Sequence, residues 1–347
     1  MNSTTANDKN HTDVLGIDVG KHTLDAALMT ITDSTAASAQ QAQFPNTPAG
    51  HERLRGWAQK LLPPDSRLHV CMEATGPYWN ACADDLHCWA ATLSVVNPRA
   101  VRAFGQACLR RNKTDKADAR LIAIYTAAMH PSAWTPPSSL QRQMQALQWR
   151  IDNLKAQRIA ELTRLEKTAL PTVVSKDIQS HIRLLDARIE KLDAALRKLI
   201  QTDAIQSHNH ELLVSIPGIA SRTAAALQCE LADVARFETA RQLAAHAGLT
   251  PRHHQSGAFA GRTRLSKIGS SRLRGRLYMS AIAAKKHSAP FIAFAQRLRE
   301  NAAARGSHLA EKALVCAIMR KLIHIVFGVL KSQQPFNPIM VGPSQKT

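Results

Sequence analysis

The chain has 347 residues, 45% of them hydrophobic, with 45 Lys+Arg against 26 Asp+Glu and a formal net charge of +19. That apolar fraction excludes a disordered chain, and the length suits two domains with a connecting element. The positive excess points to a polyanionic partner, because each neutralised phosphate releases condensed counterions; packing proteins are basic too, so charge alone names no activity.

The opening MNSTTANDKNHTD is polar, lacks the apolar stretch of a signal peptide, and is expected to form a disordered leader over 1–12. Val14–Val19, Leu24–Ile31 and Gln41–Phe44 read as a strand meander. A helix is predicted over Pro48–Leu62, a strand over Leu68–Glu73, a helix near Pro77–His87 and a strand over Thr92–Val96. Helices then come over Ala100–Cys108 and Thr114–Met129, so the pattern suits a mixed sheet with helices on its faces. Pro131, Pro136 and Pro137 close this domain.

Leu140, Met144, Leu147, Ile151 and Leu154 step by four and three, and after Pro171 the same steps run from Ile178 to Leu199. Two such helices form an antiparallel hairpin, a coiled coil with a partner chain, or both. A second globular part, helical and basic, is expected from His210 to about Leu330, succeeded by a loose tail. Its apolar run Ala313–Leu330 is interrupted by Arg320 and Lys321, which favours a buried helix over a membrane span. Six cysteines show no CxxC pair and no zinc spacing, and we read them as reduced core residues of a cytoplasmic, nucleoid-associated protein.

Asp18 stands inside an apolar strand, where an uncompensated carboxylate costs several kcal/mol. Alternation sets Asp18 with Gly16 on the face opposite Leu15, Ile17 and Val19. Glu73 ends a similar strand, and Asp115 and Asp118 are three apart at the start of a helix capped by Thr114. Singly, each acid has a plain reading: a strand-end residue, or a complement to the helix dipole. Together they supply hard oxygen ligands for Mg²⁺, or Mn²⁺, with room for water and phosphate.

In the second half, Ser215–Ala224 reads equally as a helix-hairpin-helix turn able to hold a phosphate and as an ordinary helix–helix turn. No Asp or Glu lies between Glu238 and Glu300, while Arg252, Arg262, Arg264, Lys267, Arg272, Arg274 and Arg276 do. That one-signed stretch favours nucleic-acid contact over a solvated face, and Lys113 joins it as a candidate. Ser256, beside Gly257, reads by composition as a turn residue.

GIDVGKHTLD, CMEATGPYW, VVNPRAVRAFGQ, LRRNKTDKADAR, SIPGIASRTA, AAHAGLTPRHHQSG, KIGSSRLRGRLYM and MRKLIHIVFGVLKSQQPF occur in that order across residues 13–336. This pattern resembles the bridge-RNA-guided recombinases of bacterial insertion sequences, the DEDD transposases. The resemblance implies a RuvC-like (RNase H-like) α/β catalytic domain over 13–130. It implies a coiled-coil connector over 131–208, a mainly α transposase domain over 209–333 and a flexible tail over 334–347. It also implies that Asp18, Glu73, Asp115 and Asp118 form the metal centre and that Ser256 is the nucleophile, with Ser266 and Ser270 as weaker alternatives. Donor and target DNA, a structured guide RNA and a homodimer assembling to a tetramer, without a membrane, are the implied partners. The residues also admit a metal-dependent resolvase that uses water, and a non-enzymatic basic scaffold.

Overall fold

The computed structural model describes residues 12–30, 39–64, 66–109, 115–167, 169–252, 255–256, 259–260 and 264–342. They divide into two compact units, 1–136 and 137–347.

In the first unit β1 (Thr12–Val19), β2 (Thr23–Met29) and β3 (Gln40–Pro45) form an antiparallel meander. Next in the chain are α1 (Pro48–Leu61), β4 (Arg67–Glu73), α2 (Trp79–His87) and β5 (Thr92–Val96), and β4 pairs in parallel with both β1 and β5. The sheet order is therefore β3-β2-β1-β4-β5. Thr47 caps α1 by accepting from the Gly50 amide at 3.2 Å, with Pro48 preset for the first turn. α3 (Pro98–Ala107) repeats the device, with Asn97 accepting from the Arg99 amide at 2.9 Å.

One face of the sheet packs Leu15, Ile17, Val70 and Met72 against Leu54 and Ala58 of α1 and Cys82, Ala83 and Leu86 of α2. The other face is covered by α3 and α4 (Asp115–Met129), with Val14, Ala27 and Met29 against Ala119 and Ala123, and Cys71 against Val101 and Ile122. This is the expected mixed sheet between helical layers.

The second unit opens with the hairpin of α5 (Ser139–Lys167) and α6 (Thr172–Gln201). Met144, Ile151 and Leu154 pack against Leu185, Ile189, Leu196 and Ile200, so the heptad seam is buried within one chain. Pro171 breaks the helix between them. The root of the hairpin merges with the helices beyond it, since Ala225 and Cys229 of α8 (Ser221–Leu231) join its core. The side-chain amide of Gln141 also donates to the carbonyls of Gln228 and Cys229 at 3.1 and 3.0 Å, satisfying the end of α8.

α7 (Ala204–Val214), α9 (Ala240–His246), α10 (Ser271–His287) and α11 (Ala289–Ala303) surround α12 (Glu311–Ser332). α12 is long and apolar enough to cross a bilayer, yet it buries nine residues from Leu314 to Val329 in this core. Between α7 and α8, Gly218 has φ +88° and an added Cβ would lie 2.4 Å from the Ser280 carbonyl oxygen, so the turn is seated directly on α10.

Of the tail 334–347, expected to be loose, residues 334–342 are described and are tied to the core. The Phe336 amide donates to Ser215 Oγ at 2.9 Å, and a 3-10 turn over Pro338–Val341 buries Val341. Apolar burial anchors a segment whose Pro and Gly content reads as loop. The leader 1–11 lies outside the described residues.

Candidate active site and nucleic-acid surface

The parallel pairing of β1 with β4 runs to Ile17 opposite Met72. Asp18 and Glu73 are the next residues of the two strands, at the carboxyl end of the sheet, and both are half-buried. Strand alternation turns Leu15, Ile17 and Met72 to the α1/α2 side and leaves Gly16, Asp18, Cys71 and Glu73 on the α3/α4 side. The two acids therefore share a face.

Gly16 brings α4 onto that face: an added Cβ would lie 2.3 Å from the Ala119 carbonyl oxygen and 2.4 Å from the Ala123 amide nitrogen. Val14, Ala27 and Met29 pack with Ala119, Ala123 and Ala127 in one cluster, so α4 lies against β1 and β2 on this face, and Asp118 immediately precedes the residue that meets Gly16. Asp118 is half-buried; the side chain of Asp115 lies outside the described residues.

The floor beneath is uncharged. Burial pushes the Cys71 thiol up to about 11, a shift that its hydrogen bond with Thr126 offsets only in part. Burial likewise raises the Tyr125 phenol.

One further carboxylate belongs to this face. Asp25 on β2 stands directly opposite Asp18 in the antiparallel register and is 5% exposed. The Gln43 side-chain amide, on β3, donates to both Asp25 oxygens at 3.1 and 3.2 Å. Alternation across the tight turn between β1 and β2 was the signal that could have found it.

Among the described residues no three His, Cys, Asp or Glu side chains stand close enough together to hold a metal ion. The carboxylates nevertheless suit a hard divalent cation in donor chemistry, and in the face of the sheet they share.

In the second unit, the described residues between 251 and 265 form two short two-stranded ribbons. β6 (Pro251–Arg252) pairs with β9 (Arg264–Leu265), and β7 (Gln255–Ser256) pairs with β8 (Phe259–Ala260). Ser256 is placed opposite Phe259; its side chain lies outside the described residues, as do Lys113 and Arg262. The base of the β6/β9 ribbon is held by backbone bonds from Ser266 N to Thr250 O at 2.9 Å and from Lys267 N to Gly248 O at 3.2 Å.

Arg252 and Arg264 are exposed and directly paired across this ribbon. Two cations so placed repel one another unless an anion lies between them. Lys267 is exposed beside them.

The other described arginines of this stretch have partners within the unit, though Arg272 stays exposed. Arg274 donates to the carbonyls of Ala247, Gly269 and Ser270 at 3.0 to 3.3 Å. Arg276 pairs with Asp152, and Arg272 lies over the Trp149 ring at 4.8 Å. Ser270 caps α10 by accepting from the Leu273 amide at 3.1 Å, and Ser266 accepts from the Ile268 amide at 3.3 Å.

Comparison with known proteins gives two family matches. Residues 15–175 match the DEDD_Tnp_IS110 transposase family, and residues 210–296 match the Transposase IS116/IS110/IS902 family. The chain is 34% identical over 329 residues to the pilin gene-inverting protein of Moraxella bovis, covering 93% of this chain and 97% of that one. A probable family 20 transposase of Pseudomonas aeruginosa is 27% identical over 258 residues, 64% of this chain and 72% of its own length. The transposase for insertion sequence element IS1328 of Yersinia enterocolitica is 26% identical over 217 residues, 54% of this chain and 63% of its own length. With a mixed α/β unit that sets two strand-end acids on one face, ahead of a basic helical unit, this chain belongs to the IS110/IS116 family of transposases, enzymes of DNA recombination.

Proposed function

We propose that this transposase is an RNA-guided recombinase in which Asp18, Glu73, Asp115 and Asp118 form one acidic centre and Ser256 is the nucleophile. Its first unit is read as a RuvC-like, RNase H-like fold, for which the β3-β2-β1-β4-β5 order and the strand-end acids speak. The observation that carries the reading is that Asp18 and Glu73 share the sheet face against which α4 packs at Gly16. DEDD transposases generally depend on a divalent metal; Mg²⁺ or Mn²⁺ held by these acids would polarise the phosphate and lower the cost of activating a hydroxyl.

Each other step belongs to the chain. Arg252 and Arg264 hold the DNA phosphates along the ribbon, so that the Ser256 hydroxyl approaches the scissile phosphorus. As the Ser256 oxygen bonds to phosphorus, the hydroxyl gives up its proton and the bond to the departing deoxyribose oxygen breaks; that oxygen leaves as a free hydroxyl. The phosphoserine link keeps the phosphodiester energy for rejoining, when the hydroxyl of a second strand displaces serine. Because the acids and Ser256 belong to different units, the centre is completed by the ribbon of the same chain or of a partner. The α5/α6 hairpin, with Ile159, Val173 and Leu184 exposed, suits an arm that holds a dimer, and two dimers a tetramer. The acid-free stretch from 239 to 299 supplies surface for a guide RNA beside donor and target DNA.

Denaturing gels of cleaved element ends, with and without protease, test this reading. Ends that carry protein support the serine; free ends assign the attack to water.

A further inference from the structure

The ladder between β1 and β4 ends at Ile17 and Met72, one residue short of Asp18 and Glu73. Asp18 still pairs with Asp25 and Glu73 with Val96, but no pairing joins the two acids to each other directly. Another connection crosses the gap. Asn46, at the junction of β3 and α1, donates through Nδ2 to the carbonyl of Gly20 at 2.9 Å and to that of Tyr78 at 3.2 Å. Gly20 lies in the turn that leaves β1 after Asp18; Tyr78 lies in the loop that leaves β4 after Glu73.

Asn46 is itself held from behind. Its Nδ2 faces two carbonyl oxygens, so Oδ1 is the atom that meets His51 Nε2, at 2.8 Å. His51, 3% exposed on α1, reaches Asp85 Oδ2 on α2 through Nδ1 at 2.6 Å. Both ring nitrogens face oxygen atoms, so the imidazole bridges Asn46 to Asp85. The Asn46 backbone amide adds a bond to the His22 carbonyl at 2.9 Å, which leaves the side chain little freedom. A fully bonded chain of this kind, anchored on two helices, reaches the strand-end loops at one amide group.

We propose that Asn46, held by His51 and Asp85, is a positioning residue for the acidic centre. By tying the turn after Asp18 to the loop after Glu73, it sets the separation of the two carboxylates past the last direct pair of β1 with β4. This rests on the reading that both acids belong to one metal-binding centre. Supporting groups of this kind act through ligand orientation, and their removal characteristically weakens metal binding rather than the fold.

The test is Mn²⁺ binding to the full chain without DNA, read from the loss of the free-ion electron paramagnetic resonance signal, in the natural chain and in Asn46→Ala, Asn46→Ser and Asp18→Asn. Both Asn46 variants are expected to weaken binding about tenfold. The metal concentration for half-maximal DNA cleavage should rise by a similar factor, with cleavage largely recovered at saturating metal. Unchanged Mn²⁺ affinity in a folded Asn46 variant, beside a loss in Asp18→Asn, overturns the strap alone. Unchanged affinity in Asp18→Asn overturns the reading of the centre and the strap with it. Should Asn46→Ala fail to fold, Asn46→Ser decides, since its hydroxyl is too short to reach both carbonyls.

Discussion

Gly16 on β1 lies so close beneath Ala119 on α4 that a single added carbon would stand 2.3 Å from the Ala119 carbonyl oxygen. The contact is backbone against backbone, so no side chain can turn aside to relieve it. Gly16→Ala must lift the helix from the sheet, and it is expected to destabilise the first unit by about 3 kcal/mol, the upper part of the overpacking range. Denaturant unfolding of the full chain measures this, and DNA cleavage should fall in parallel because Asp118 moves with α4.

Asp118→Asn separates placement from charge. The amide keeps the shape of the carboxylate but binds a hard cation poorly. Cleavage should drop by at least roughly a thousandfold, the equivalent of several kcal/mol of lost charge stabilisation. Melting temperature and DNA binding without metal should stay close to those of the natural chain. Retained cleavage would take Asp118 out of the centre.

The arginines of the basic stretch should fall into two classes. Arg264→Ala removes an exposed cation of the ribbon and is expected to reduce the slope of log affinity against log salt by about 1, at constant stability. Arg276→Ala withdraws the partner of Asp152, whose side chain is 24% exposed, and should instead cost about 2 kcal/mol of stability. Salt titrations and denaturation curves on both variants check the assignment; equal salt slopes would refute it.

His324 makes the second unit acid-sensitive. Burial, then the neighbouring Arg320, Lys321 and Arg241 charges, push its imidazole down to about 4. An unfolded histidine titrates at about 6.5, so the unfolded chain takes up a proton that the native chain refuses. Stability from this group is complete above about pH 6.5 and is lost as pH falls from there through about 4, on the order of 2 kcal/mol after solvent screening. His324→Leu should flatten that acid limb in denaturation curves taken at several pH values. An unchanged limb would show that other groups set it.

Much of this architecture was readable from the chain. The alternation at Val14–Val19 and Leu68–Glu73 places strands, Thr47-Pro48 and Asn97-Pro98 mark helix starts, and the heptads of α5 and α6 identify their buried seam. Shared-face placement of Asp18 and Glu73 comes from the same period of two. What escaped depends on register and distance. Asp25 joins the face only through its pairing opposite Asp18, and Gln43 through one more strand. Arg276 reads as a phosphate contact until Asp152, 124 positions away, is seen to occupy it. Asn46, His51 and Asp85 are polar residues of ordinary spacing whose connection exists only after folding. Composition reports charge and polarity, but not which partner claims a group first.

The central position of α12 has a bearing on how the enzyme is made. Its nine buried side chains complete a core whose other contributors begin at Leu212, roughly a hundred residues earlier. While the ribosome is still translating, α7, α9 and α10 therefore emerge with apolar faces that have nothing to close on. The first unit, compact within residues 1–136, can mature ahead of them. DNA-rejoining competence thus arrives only after residue 332 has been added, and a nascent chain stalled before Glu311 would be a target for chaperones rather than a partial enzyme.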